Sequence, residues 1–287
     1  MDRANDMGAV VVTGSSTGIG KACALHLDAV GFSVFAGVRK QADGHALKSE
    51  ASSRLTPILV DVTDADSIAS AARVVASALG DGALSGLVNN AGIVVPGPLE
   101  CLPIDQLRQQ FEVNVVGQIA VTQAFAAMLR RGCGRIVNIG SVSGRISSPL
   151  LGPYCASKFA LEALTDALRM ELLPHGVHVC IVDPGSIDTP IWDKSLAKAD
   201  GLMESLSPEA NELYGEAMVK VGEAARKMGQ NGIPPAAVVD AVSHALTARR
   251  PKPRYNVGRK AKLGVILARV LPSRILDRLI LRSLRLR

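Results

Sequence analysis

The sequence predicts an α/β fold: one domain built on a doubly wound parallel sheet, helices on both faces, with a C-terminal helical extension. Two observations lead there. Short, unbroken apolar runs alternate along the chain with longer stretches of helical period. A glycine-rich turn joins the first apolar run to the first helical stretch. Composition agrees, since 48% hydrophobic and 20% charged residues are incompatible with a disordered chain.

Residues 9–13 are all apolar until Thr13, too short for a helix and bounded by glycine, and read as a buried strand. Helical sequence follows at 19–30, then Gly31 and a second strand at 32–38. Further strands are expected at 56–60, 84–89, 135–139 and 178–182, with helices at 65–79, 104–129 and 154–172. This cadence means right-handed βαβ crossovers and a parallel sheet. Residues 1–258 form the expected domain, with 190–235 as a variable lid segment and 259–287 as the extension. The polar N-terminus suggests no secretory leader, and no stretch reaches 18 consecutive apolar residues, so a cytoplasmic chain is expected.

The five cysteines are odd in number and hold no C-x-x-C pair, which fits reduced thiols and excludes a disulfide scaffold. His26, His45, His175, His178 and His244 are scattered, so no metal site is expected. The net charge of +6 conceals an asymmetry: residues 249–287 carry 13 basic side chains and one acid, Asp277. The remainder is acidic, which argues against a nucleic-acid partner for the body of the chain.

The turn after the first strand reads Thr13-Gly14-Ser15-Ser16-Thr17-Gly18-Ile19-Gly20. Gly14 permits a sharp turn, Gly18 lets backbone approach a pyrophosphate, and Gly20 lets helix and strand pack closely. The following helix N-terminus faces the anion. Tyr154 and Lys158 stand four apart on one helical face, and Ser141 follows the strand at 135–139. An ammonium beside a phenol favours phenolate, so Lys158 is expected to lower the Tyr154 pKa from about 10 and fit it for proton exchange. Ser141 is suited to hydrogen-bond a substrate oxygen.

With Asn89-Asn90-Ala91-Gly92 ending the fourth strand, these motifs, in this order, resemble the short-chain dehydrogenase/reductases over residues 8–190. The resemblance implies a Rossmann-type fold and hydride transfer between a nicotinamide cofactor and an alcohol or carbonyl. It implies Asn114, Ser141, Tyr154 and Lys158 as catalytic residues, with Lys158 also on the nicotinamide ribose and Asn114 bending its helix. It carries the cofactor site onto Thr13 through Gly20, Val38, Arg39, Asp61, Val62, Asn90, Ala91, Gly92, Tyr154, Lys158, Pro184, Gly185, Ile187 and Thr189. Asp61 would meet the adenine amino group; as an alternative it caps the next helix, where Asp64 competes.

An acid ending the second strand would bind ribose hydroxyls of NAD, but Val38 holds that place and Arg39 follows. A guanidinium welcomes a 2′-phosphate, so NADP is expected, with NAD as the alternative.

Ser207 is expected to cap a helix with Pro208 at its first position and Gly229 past its end. Along it, Tyr214, Met218, Val221, Ala225 and Met228 form an apolar stripe, read either as core packing or as a lid over a bulky substrate. Ser141, Val142, Ser143, Ser186, Trp192, Tyr214 and Met218 are the expected substrate contacts, and a lipophilic alcohol or ketone (steroid, retinoid or fatty-chain type) the expected substrate. A small xenobiotic ketone, or a noncatalytic NADP-binding role at a membrane, are the alternatives.

The segment 251–258 and the later Leu271-Pro272 resemble the retinol and 17β-hydroxysteroid dehydrogenase branch. In the last helix Arg274, Arg278, Arg282 and Arg285 cluster within roughly 80° of the helical wheel, against Ile275, Leu276, Leu279, Ile280, Leu284 and Leu286. This reads as a helix packed on its own domain or a second subunit of a homo-oligomer, or one lying peripherally in an anionic membrane surface.

Overall fold

The computed structural model describes residues 7–286. Seven strands form one parallel sheet in the order β3-β2-β1-β4-β5-β6-β7: β1 (Ala9–Val12), β2 (Ser33–Val38), β3 (Leu55–Leu59), β4 (Leu84–Asn89), β5 (Arg135–Ile139), β6 (His178–Pro184) and β7 (Arg254–Val257). Strand direction alternates side chains between faces, and β1 shows the result. Val10 and Val12 enter one core with Cys23, Ala24 and Leu27 of helix α1 (Gly18–Ala29). Ala9 and Val11 enter the other, with helical residues Ile68, Val75, Val121 and Phe125. Both faces are therefore dry, which is why the strands read as unbroken apolar runs.

The first core is completed by Leu47 of α2 (Gln41–Ser49) and by Val238, Val242 and Leu246 of α9 (Ala236–Thr247). The second is covered by α3 (Ala65–Leu79), α5 (Gly117–Arg131) and α6 (Gly152–Leu172). Asp64 caps α3, accepting from the N–H groups of Asp66 and Ser67, so Asp61 is not the cap. The one helix expected at 104–129 is instead α4 (Ile104–Phe111), a π-helical turn at Glu112–Val116, and α5. Its cause is Asn114, whose side chain binds both backbone groups of Ile93 (2.8 and 3.0 Å) and draws the helix out of α register. Taken together, Ile104–Arg131 is long and apolar enough to cross a membrane by length and composition, which the sequence reading missed; half of its most apolar stretch is buried inside the fold.

The lid segment is two helices, α7 (Ile191–Ser205) and α8 (Pro208–Gln230). Ser207 caps α8 as expected, accepting from Ala210 N–H at 3.1 Å. Gly229, however, lies inside the last turn, where a Cβ would come within 3.1 Å of the Trp192 ring. Packing against the indole, not helix termination, explains that glycine. After β7 come α10 (Arg259–Val270) and α11 (Ser273–Ser283). Leu284, Arg285 and Leu286 thus fall beyond the helix expected to contain them.

Strand order reverses between β1 and β4, and the carboxyl ends diverge there into a crevice. Gly14 and Gly18 have φ of +67° and +58°, the left-handed region open to glycine. Gly20 serves packing: a Cβ there would lie 2.2 Å from the Gly14 carbonyl oxygen. Because that neighbour is backbone, Gly20→Ala should destabilise the fold by about 1–3 kcal/mol, read as a lowered urea midpoint at unchanged slope.

Candidate active site

The crevice is a cleft of about 580 Å³. Ser16, Thr17, Gly18 and Ile19 form its floor, Val38, Arg39, Asp61 and Val62 one end, and Asn90, Ala91, Gly92 and Thr189 the other wall. Thr17, the residue before α1, makes no side-chain cap, so the first-turn N–H groups of α1 have no cap from its side chain. Thr13, Ser15 and Gly20 do not line the cleft. Thr13 Oγ1 accepts from the N–H groups of Asn90 (3.0 Å) and Ala91 (3.1 Å), and Ser15 Oγ donates to the Val12 carbonyl at 2.8 Å. They shape the turn.

A second cavity, of about 330 Å³, shares Ile19, Asn90, Gly92 and Thr189 with the cleft. Its wall holds Ser141, at the end of β5, with Tyr154 and Lys158 one turn apart on α6. Ser141 caps the short turn Val142–Gly144, accepting from Ser143 N–H at 3.1 Å, and also hydrogen-bonds the Tyr154 phenol. Lys158 Nζ lies 5.8 Å from the Tyr154 ring centre and donates to the Ile139 carbonyl at 2.7 Å. Asn114 opens on the same cavity, its amide also donating to Ser157 Oγ at 3.1 Å. Pro184, Gly185, Ser186 and Ile187 close the far side, and Trp192 Nε1 donates to the Ile187 carbonyl at 2.9 Å.

A phenol, an amine and a hydroxyl thus stand on one wall, beside a cleft with a glycine floor. The short chain dehydrogenase family model matches residues 8–200. The chain belongs to the short-chain dehydrogenase family. This short-chain dehydrogenase is 36% identical over 280 residues to an NADPH-dependent 3-dehydrocapnine reductase of Ornithobacterium rhinotracheale, covering 96% of each chain. It is 39% identical over 276 residues to retinol dehydrogenase 5 of Mus musculus, covering 93% of this chain and 86% of that one. Among solved structures, a short chain dehydrogenase of Burkholderia cenocepacia J2315 in complex with NADP matches with a TM-score of 0.72 at 27% identity, covering 95% and 97% of the two chains.

Two substrate expectations fail for this dehydrogenase. Tyr214 and Met218 line neither cavity: Tyr214 donates to Glu100 at 2.6 Å, and Met218 packs in a separate cluster with Val95, Leu102 and Leu202. The α8 stripe is therefore mainly packing, and only its last member, Met228, reaches the substrate cavity. Conversely, Ile280, Ser283 and Leu284 at the chain's end line that cavity, which the sequence did not suggest. The linear distance from Tyr154 hides them; no local pattern marks them.

The electrostatics also differ from expectation. Burial pushes the Tyr154 phenol up to about 12, against the Ser141 hydrogen bond, and pulls Lys158 down to about 8. Desolvation disfavours both charged forms and outweighs the mutual effect the sequence suggested, because the ammonium is directed at a carbonyl. A further group was missed: Asp183 of β6, fully buried, with no hydrogen-bond donor on either carboxylate oxygen. Arg254 Nε lies 3.6 Å away, but Arg254 and Arg145 are both engaged by Glu162. Burial, then Glu162, pushes Asp183 up to about 8. An acid inside an apolar strand run was the available signal.

For an acid with a raised folded pKa, the contribution to stability is full below the ordinary carboxylate value near 3.8 and is lost as pH climbs through about 8. Asp183→Asn is neutral at every pH, so its melting temperature should gain on the natural chain as pH rises from about 5 to about 9. A constant difference across that range would show Asp183 to be ionised throughout.

Proposed function

We propose that this short-chain dehydrogenase interconverts an alcohol and its carbonyl on a lipophilic substrate, with NADP(H) as its cofactor. The observation that carries the reading is the convergence of Ser141, Tyr154 and Lys158 on a cavity continuous with the glycine cleft. The cleft fits a dinucleotide on its own geometry: Gly14 and Gly18, at positive φ, line its floor, and the N-terminus of α1 lacks a cap from Thr17. The nicotinamide supplies the hydride when bound.

In the carbonyl-reducing direction Tyr154 donates its proton to the developing alkoxide, while Ser141 holds that oxygen. A phenol pushed up to about 12 stays protonated across the neutral range, as a general acid must. Lys158, cationic below about 8, stabilises the phenolate left behind. Asn114 fixes the π-helical turn and with it the position of the cavity's inner wall. Support for NADP comes from Val38 and Arg39 at the cleft's end and from two similar proteins, the NADPH-dependent 3-dehydrocapnine reductase and the dehydrogenase solved in complex with NADP.

The cavity suits an apolar substrate: Ile93, Ile146, Leu151, Met228, Ile280 and Leu284 contribute to its lining. A relative named as a retinol dehydrogenase points the same way. Outside the cavity, Leu263, Ile266 and Val270 of α10 and Ile275 and Leu279 of α11 are exposed beside Arg274, Arg278 and Arg282. An apolar strip edged with arginine fits an anionic bilayer surface, from which a lipophilic substrate enters beneath α11.

Tyr154→Phe should abolish turnover, by a factor of about 1000 or more, while NADPH binding persists. The rate of carbonyl reduction should stay level from about pH 5 to 7 and fall through about 8, as Lys158 loses its proton; a decline complete below pH 7 would contradict this. Ile275→Asp with Leu279→Asp should remove flotation with phosphatidylserine vesicles and spare turnover of a soluble ketone.

A further inference from the structure

We infer that helix α7 supplies the second cation of the cofactor's 2′-phosphate site: Lys198 and Arg39 grip that phosphate together. The inference rests on the NADP reading above and extends it to a segment that reading leaves unused. α7 starts at the shared edge of the two cavities, with Ile191 on both. One turn later Lys194 lines the same cleft as Arg39. Lys198 is four residues further on, on the same side of the helix and one turn beyond the last α7 residue that lines the cleft.

Charge along α7 is segregated. Asp193, Asp200 and Glu204 fall roughly 80–160° around the helical wheel from the two lysines. The acids thus lie away from the lysine side of α7, whose Lys194 lines the cleft that Arg39 also lines. Burial and then the Arg39 guanidinium hold Lys198 below the ordinary lysine value, which puts the two cations within electrostatic reach. Of the acids on the cleft, Asp61 accepts from the Thr63 N–H (3.0 Å) and hydroxyl (2.8 Å) and also feels the Arg39 guanidinium, Asp105 pairs with Arg108 at 2.8 Å, and Glu112 lies on the lining as well. Like charges brought together across a cleft repel unless an anion lies between them. A phosphate monoester carries the right charge and several acceptor oxygens.

The arrangement links cofactor choice to the substrate site. Trp192 and Ile191 stand on α7 just before Lys194 and line the substrate cavity. A phosphate gripped by Lys198 therefore seats the wall against which substrate rests, and NADH leaves that wall unanchored.

Trp192 is the only tryptophan and sits on the helix in question, so its emission reads the event directly. The full chain would be titrated with NADPH, NADH, 2′,5′-ADP and ADP. Lys198→Ala should weaken NADPH and 2′,5′-ADP about tenfold, the scale of one lost charge-assisted contact, and leave NADH and ADP within about twofold. Lys198→Arg should restore the preference, and Lys198→Glu should shift it to NADH. Unchanged NADPH affinity in Lys198→Ala, with Arg39→Ala still impaired, overturns the inference and leaves the cofactor reading standing. Equal affinity of the unaltered chain for NADPH and NADH, with Arg39→Ala silent, removes that reading and this inference with it.

Discussion

The carboxyl ends of β1 and β4 are tied by one residue, and the geometry of both cavities depends on that tie. The Asn90 amide donates to the carbonyls of Thr13 and Gly14 at 3.0 and 3.1 Å, and the Thr13 hydroxyl accepts from Asn90 and Ala91 in return. These are backbone groups that have run past the last ladder bond of their strands and would otherwise stand unpaired at a buried edge. By closing them, Asn90 holds the two ends at a fixed separation. Cleft and cavity meet at that residue and share one rigid boundary.

Burial then decides the proton states. Tyr154, Lys158 and Asp183 all lie where water is scarce, and each is driven toward its neutral form. A neutral Asp183 matters to its neighbours, since a full negative charge there would hold the Lys158 ammonium and oppose formation of phenolate. Arg145 and Arg254 direct their hydrogen bonds to Glu162, which leaves the Asp183 carboxyl without a donor and burial to push it up. The buried cluster and the active site are thus parts of one electrostatic arrangement, although β6 and α6 supply them from distant parts of the chain.

Much of this was legible in the chain itself, for stated reasons. Short-range patterns carry strands β1 to β6, helices α1, α3 and α6, and the glycine turn, because periodicity and backbone freedom are local properties. Asn114 was legible as a helix disturbance only through family resemblance; the contact that causes it, with Ile93, is twenty-one residues away. Tyr214 and Met218 were misread because a helical stripe specifies that a face is buried and not which neighbour buries it. The helix α2 escaped because Gln41–Ser49 is short and mostly polar, with Leu47 its one large apolar side chain.

The sequence by itself determined the doubly wound sheet, the phosphate turn and the meeting of Ser141 with Tyr154 and Lys158, since each follows from spacing within one strand–turn–helix unit or from the order of such units. Only the tertiary structure decided that the last helix lines the cavity of Ser141 and Tyr154, that α7 sets Lys194 on the cleft that Arg39 lines, and that the phenol's pKa rises instead of falling. Those outcomes depend on which surfaces exclude water from which groups, and desolvation is a property of the packed volume that no stretch of chain carries alone.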